Sequence, residues 1–438
     1  MKEAILFEKI NCLTAGEDGV VKALRDMYVA VAEGDIQVVT QDRAAAVATL
    51  PPTFLSYRGQ DKLLLPAFAN AHTHLPMSLL RNSADDLRLH EWLYNNIFPR
   101  EAKMRPEDIR VGTELSLLEL IAGGVVCLAD MYMMPEETAG ACLEAGVRLN
   151  FCCESRSTGP SGYTEMRPDW AEAAVRDWEG RYDDRFRVSL LIHSVYLHQP
   201  EIYPLTATLA KSLGVGIHLH LSETQKENAD CLKDYGLTPT AKLVADGIFD
   251  VPTLAAHCVW LSAEDRTILR EKKVACSHNP TSNLKLGSGI AEIGKLVEEE
   301  IRVCLGTDGA ASNNRLDLYA EMRLAALLAK GKACDPVALT ADQVFKMATV
   351  EGYRSLRFDR GGIIAAGEPA DLQVLCLSDP NLQPPASLLS AVVYSAGPEN
   401  VESTLCNGEF LFYKGMHTTL DAEKITAEAG ARTRFLSN

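Results

Sequence analysis

Between about residues 60 and 310 the chain alternates short, unbroken apolar runs with longer stretches whose apolar residues recur at helical spacing. The runs are 63–70, 125–130, 147–153, 188–193, 215–221, 253–259, 274–278 and 301–306. Each is rich in Val, Ile, Leu or Cys and is bounded by Gly, Pro, Asn or polar residues. A run that is apolar at every position, without alternation, predicts a parallel strand covered on both faces. Helical spacing predicts helices over 106–121, 240–246 and 263–272, the last with Ser262 as N-cap. Eight such strands separated by helices predict an α/β fold, a (β/α)8 TIM-like barrel. An open doubly wound sheet is the alternative. Against it, the first run leads into His-Thr-His and not into a glycine-rich phosphate loop.

The two ends differ from the middle. Tyr28-Val29-Ala30-Val31 and Ile36-Gln37-Val38-Val39 near the start read as short antiparallel strands. So do Asp371-Leu372-Gln373-Val374-Leu375, Ala391-Val392-Val393-Tyr394 and Phe410-Leu411-Phe412 near the end. The expected division is therefore 1–60 and 361–438 as the two parts of one small β-sandwich domain, with 61–360 as the barrel. The stretch 421–432 is expected to be a terminal helix.

Composition adds exclusions. With 438 residues, 47% apolar and 23% charged, the chain has ordinary globular usage and ample core. A formal net charge of -16 repels phosphate backbones and anionic headgroups, which argues against nucleic-acid and membrane partners. No apolar run approaches the roughly 18 residues of a membrane span. Met1-Lys2-Glu3-Ala4-Ile5-Leu6 does not open a signal peptide. The twelve cysteines include no C-x-x-C pair, and many sit inside apolar runs. They read as reduced thiols of a cytoplasmic protein, with a disulfide scaffold as the weaker alternative.

Barrel active sites form at the C-terminal ends of the strands, so the polar residues there carry the candidate chemistry. The first run leads into His72-Thr73-His74, two imidazoles two residues apart that can face the barrel mouth together. Neutral imidazoles ligate zinc or iron. The fifth gives His218-Leu219-His220-Leu221-Ser222-Glu223. There His220 is a third candidate ligand, Glu223 a candidate general base, and His218 a packed or supporting group one layer deeper. The sixth run supplies His257, either a structural histidine or a group that stabilises charge on an attacking water. The eighth ends in Thr307-Asp308-Gly309, where Asp308 offers an anionic oxygen and Gly309 leaves room beside it. Each signal has an ordinary structural explanation. Their order around one barrel rim is what points to a metal centre, and a divalent ion there would bring the pKa of water from about 16 to about 7.

The stretches Asn70-Ala71-His72-Thr73-His74, His220-Leu221-Ser222-Glu223-Thr224, Ser277-His278-Asn279-Pro280-Thr281-Ser282-Asn283-Leu284-Lys285-Leu286-Gly287 and Gly306-Thr307-Asp308-Gly309-Ala310-Ala311-Ser312-Asn313-Asn314 resemble the amidohydrolase superfamily. Within it they look like the branch of S-adenosylhomocysteine and methylthioadenosine deaminases, to which triazine chlorohydrolases are related. The resemblance spans nearly the whole chain. It implies one divalent metal per chain, zinc first and iron or manganese as alternatives, bound by His72, His74, His220 and Asp308. Glu223 would move protons, with His257 and Asp308 as its catalytic partners. On the substrate side it implies that Trp92 packs near the base, Glu101 accepts from ribose hydroxyls and His193 contacts the substrate. Ser312 would line the pocket. Trp92 could equally be a core anchor, and Glu101 an exposed helix charge. A homo-oligomer is also implied.

Two departures refine the resemblance. Two-metal members carry a carbamylated lysine at the end of strand four, whereas here run four leads into Leu191-Ile192-His193-Ser194, which favours one metal. Members acting on S-adenosylhomocysteine hold its carboxylate with arginines near strand three. Here that region reads Cys152-Cys153-Glu154-Ser155-Arg156, with Arg167 next. Arg156 is the candidate contact, but Glu154 beside a carboxylate would repel it. The expected activity is hydrolytic deamination of an adenosine derivative (5'-methylthioadenosine, adenosine, 5'-deoxyadenosine or S-adenosylhomocysteine) to the inosine derivative and ammonia. The alternatives are deamination or dechlorination of guanine, 8-oxoguanine or a triazine, a catalytically inactive binding protein, and an oxidoreductase on an open sheet.

Overall fold

The structure, a computed structural model, describes residues 2–16, 19–153 and 167–437. The chain opens with β1 (Ile5–Ala15), β2 (Val21–Ala32), β3 (Asp35–Thr40), β4 (Leu55–Arg58) and β5 (Lys62–Pro66). Eight strands follow: β6 (Phe68–Thr73), β7 (Val125–Asp130), β8 (Arg148–Cys153), β9 (Phe186–Ile192), β10 (Gly216–Leu221), β11 (Thr253–His257), β12 (Ala275–His278) and β13 (Val303–Leu305). The last four are β14 (Leu372–Cys376), β15 (Val401–Cys406), β16 (Glu409–Tyr413) and β17 (Met416–His417).

Strands β6 to β13 pair in chain order, each parallel to the next. Every one of their residues is buried, which is why their sequences show apolar runs without alternation. This is the expected TIM-like barrel. Its first and last strands meet through a side chain: Asn70 donates to Thr307 Oγ1 (2.7 Å) and accepts from the Thr307 amide (2.9 Å). One step further along, the Asp308 amide donates to the His72 carbonyl at 2.9 Å. The seam therefore places a histidine and an aspartate, far apart in sequence, side by side.

The chain ends share a second sheet, ordered β17-β16-β15-β14-β5-β1-β2-β3, with β4 also on β1. It folds over, so that Tyr57 of β4 stacks on Phe410 at 6.1 Å and meets Tyr413 edge-on at 6.2 Å. Arg148 of β8 ties this layer to the barrel. It donates to Asp371 through Nε (2.5 Å) and Nη2 (3.2 Å), with both side chains buried.

Two local differences from expectation have physical causes. The first apolar run is two strands, β5 in the end-built sheet and β6 in the barrel, joined at Ala67 without a polar break. Pro66, with no N–H to donate, marks the change. The boundary set at 60/61 thus falls ahead of a strand of the small sheet. The Ala391-Val392-Val393-Tyr394 stretch is not a strand but part of the helix Leu388–Tyr394. Its β-branched pair suggested a strand, but Ser387 caps the first turn, and Leu388 and Val392, four apart, bury one helical face. The helical segment Leu89–Trp92 passes through a wider π turn at Leu93–Ile97 before resuming at Phe98–Glu101.

Elsewhere the helix starts hold. Ser262 caps Ala263–Glu271, accepting from the Asp265 amide at 3.0 Å, and the terminal helix runs Ala422–Ser437. All twelve cysteines are free thiols, so there is no disulfide scaffold. No helix among the described residues is long and apolar enough to cross a membrane.

Candidate metal-dependent active site

Five side chains converge at the C-terminal rim of the barrel. His72 lies next to the end of β6 with His74 just beyond the strand, His220 lies on β10, His257 ends β11, and Asp308 follows β13. His74 Nε2 lies 3.2 Å and His72 Nε2 3.6 Å from Asp308 Oδ1. One ligand atom each from His72, His74 and Asp308 fall within 4.8 Å of one another, as do those of His72, His220 and His257. Two of the turns holding them use left-handed backbone at non-glycine residues, with φ +75° at His257 and +63° at Asp308. Such conformations cost about 1–3 kcal/mol each and gather at functional sites. Gly309 leaves room, since a Cβ there would sit 2.8 Å from Met77 Sδ and 3.2 Å from His74 Cβ.

The donor chemistry fits a divalent cation. His72 is fully buried and its Nε2 has no hydrogen-bond partner among the described residues, a costly arrangement for a polar atom with nothing to bind. Burial, reinforced by neighbouring imidazoles, drives His72 and His220 well below the ordinary histidine pKa, which keeps their lone pairs free. Burial also acts to lower His74 and to raise Asp308. Their mutual hydrogen bond and charge win on both sides: His74 is pushed up to about 9 and Asp308 is held well below the carboxylate range. The cluster thus draws in positive charge. Asp308 is steadied by Ser282 Oγ (2.6 Å), Ser312 Oγ (3.0 Å) and the Gly309 amide (2.8 Å).

Glu223 stands beside this group, only 5% exposed. Its Oε1 accepts from Ser288 Oγ at 3.1 Å, and its Oε2 lies 3.8 Å from His257 Nε2. Burial raises its pKa. His257 Nδ1 lies 2.8 Å from Asn283 Oδ1, an acceptor, so the proton sits on Nδ1 and Nε2 faces Glu223. The turn carrying Glu223 is held from behind by Glu227, which accepts from the Ser222 amide (3.0 Å) and the Glu223 amide (2.8 Å).

Above the cluster lies a cavity lined by Trp92, Leu93, Phe98 and Glu101 of the π-interrupted segment, by Met131, Tyr132 and Met133 after β7, and by His193 and Tyr196 after β9. The five-residue step from Leu93 to Phe98 is what lets Glu101 share this wall. At about 100° per residue an uninterrupted α-helix would carry Glu101 about 120° away from Leu89; absorbing one extra residue brings it back to about 20°. Tyr132 hydrogen-bonds to the Glu101 carboxylate.

The structure therefore brings together His72, His74, His220, Asp308, Glu223 and His257, and lines one cavity with Trp92, Glu101 and His193. Ser312 does not reach that cavity and instead backs Asp308. Arg156 lies outside the described residues. Arg167 is engaged elsewhere, paired with Asp169 and stacked on Trp170 at 4.1 Å. Sequence reading missed Ser282, Ser288 and Glu227. The last had a usable signal, since Thr224 and Glu227 form a T-x-x-E helix start.

A model of the amidohydrolase family matches residues 63–411. The chain belongs to the amidohydrolase family. Among its relatives in that family is the 5-methylthioadenosine/S-adenosylhomocysteine deaminase of Acetivibrio thermocellus, 39% identical over 96% of each chain. The 5'-deoxyadenosine deaminase of Methanothermobacter thermautotrophicus is 40% identical over 85% of this chain and 88% of the relative. Among solved structures, a zinc-bound adenosine deaminase from Xanthomonas campestris superposes with a TM-score of 0.92 at 32% identity, covering 99% of this chain and 98% of the other.

Proposed function

We propose that this amidohydrolase deaminates adenosine derivatives hydrolytically, with His72, His74, His220 and Asp308 holding one divalent metal, zinc before iron or manganese. The observation that carries the reading is the orphaned, buried His72 Nε2 within a three-histidine, one-carboxylate cluster that opens onto Glu223 and His257. The names of the relatives favour the adenosine class over a free base. So does Glu101, whose place in the cavity wall suits an acceptor for a ribose diol.

A divalent ion in this cluster would supply hydroxide at neutral pH by lowering the pKa of water to about 7. The chain's own residues then divide the work. Trp92 packs along the base, His193 borders it, and Glu101 accepts from the ribose hydroxyls. His257 turns Nε2 toward the attacking water and Asp308 steadies the charge beside it. Glu223 removes one proton from the water as the C6–O bond forms and delivers it to the ring nitrogen; it then takes the second from the new C6 hydroxyl and passes it to the amine as the C6–N bond breaks. One water is consumed and one ammonia leaves. The raised pKa of Glu223 suits a group that both takes and gives a proton.

The test is ammonia release from zinc-loaded protein with adenosine, 5'-methylthioadenosine, 5'-deoxyadenosine, S-adenosylhomocysteine, guanine and 8-oxoguanine. Turnover of one or more nucleosides is expected. Release from the free bases alone would overturn the adenosine reading, and their deamination would take its place.

A further inference from the structure

The three candidate ligand histidines are held differently at their second nitrogen. His74 Nδ1 lies 2.5 Å from the Met131 carbonyl, and His220 Nδ1 lies 2.8 Å from the His193 carbonyl. A carbonyl can only accept. Both rings therefore carry a proton on Nδ1, which leaves Nε2 as the nitrogen that faces the cluster and would ligate a cation. Among the described residues His72 has no such carbonyl. Its Nδ1 meets His218 Nε2 at 3.0 Å, with the ring centroids 5.0 Å apart and the planes inclined by 72°. An imidazole nitrogen accepts in one tautomer and donates in the other, so this contact alone leaves the direction open.

The surroundings decide it. If His218 donated, His72 Nδ1 would accept and Nε2 would carry the proton. That N–H would point into a fully buried spot where Nε2 has no hydrogen-bond partner among the described residues and lies 3.6 Å from Asp308. It could not ligate a cation. If His218 accepts, His72 Nδ1–H is satisfied and Nε2 offers its lone pair. We propose that His218 is the positioning residue that fixes the tautomer and ring orientation of His72, and through them the affinity of the site for its metal. It is placed to do so because residues two apart on a strand face the same side: His218 and His220 both point inward from β10, one layer apart. His72 is the one of these three histidines whose second nitrogen is set by a side chain, so it is the one that substitution of its partner can retune. The inference rests on the metal-site reading above.

Outer partners of ligating histidines are typically worth about ten- to hundredfold in metal affinity. The experiment measures the zinc dissociation constant of the full-length protein by chelator competition, with zinc alone as probe. His218→Phe keeps a planar ring in the layer but removes the acceptor, and about ten- to hundredfold weaker binding is expected. His218→Gln, which restores an acceptor near the lost Nε2, should recover most of that loss. Zinc binding by His218→Phe as tight as wild type overturns the proposal. A wild-type protein that takes up no zinc overturns the metal-site reading, and the proposal falls with it. Should His218→Phe not fold, the ring protons of isotope-labelled histidine in the zinc-loaded wild type give the answer. A proton on His72 Nδ1 supports the assignment, and one on Nε2 overturns it.

Discussion

Replacing Glu223 with Gln separates chemistry from binding. Glutamine keeps the shape of the side chain. Its carbonyl oxygen can still accept from Ser288 Oγ, now 3.1 Å from Oε1, and its amide can occupy the Oε2 position 3.8 Å from His257 Nε2. The backbone of the turn stays anchored, because Glu227 holds it through the Ser222 and Glu223 amides and not through the Glu223 side chain. Metal content and substrate binding should therefore change little. What disappears is the ability to take a proton. Positioned acid–base groups contribute about 10²–10⁴-fold, or about 2.7–5.5 kcal/mol of barrier. With Glu223 only 5% exposed, bulk water has poor access to substitute for it, so the upper end, about 10⁴-fold in kcat, is expected. The assay is steady-state ammonia release alongside elemental analysis of zinc per chain. A variant with full metal and a kcat within about tenfold of wild type would refute the assignment of Glu223 as the proton carrier.

Three further outcomes follow from the same geometry. Glu101→Ala should raise KM for adenosine-type ribosides while changing KM for a 2',3'-dideoxy analogue little; an equal loss for both would remove the diol contact. Asp371→Asn leaves Arg148 as a buried charge without its counter-ion, which should cost about 3–5 kcal/mol of stability in urea titrations. Arg148 holds the Asp371 carboxyl below its ordinary value of 3.8. The wild-type advantage should thus be full at neutral pH and shrink only as acid protonates that carboxyl, and a pH-independent difference would contradict the pairing. Removing zinc with a chelator should lower the thermal midpoint, since a ligand at about a thousandfold its Kd adds about 4 kcal/mol. A midpoint indifferent to zinc would speak against the cluster as a binding site.

Much of this architecture was legible because burial on both faces leaves a plain signature. Every residue of β6 to β13 is buried, so their sequences lack the alternation that a half-exposed strand shows. The same signature hid the join between β5 and β6, where both sides are equally apolar and only Pro66 breaks the run. The helix Leu388–Tyr394 was misread because Val392 and Val393 favour strands, and a seven-residue helix gives its periodicity too few turns to show. At the site, the histidines and Asp308 stood out by their place at strand ends. Ser282 and Ser288 did not, because a hydroxyl in a short helix or a loop carries no pattern until the fold brings it to Asp308 or Glu223. Ser312 shows the converse error: adjacency in sequence suggested the cavity, and the turn aimed its hydroxyl behind the aspartate.

The π turn at Leu93–Ile97 also sets where homologous chains can differ in length. A homologue lacking one residue within that turn would relax into plain α-helix and still present the counterparts of Leu89 and Glu101 on a common face. The same deletion between Phe98 and Glu101 would swing the carboxylate about 100° out of line. One short stretch is thus free to lose a residue while its neighbour is not. Insertions and deletions tolerated across the family should collect at Tyr94 and Asn95, on the solvent side of the turn.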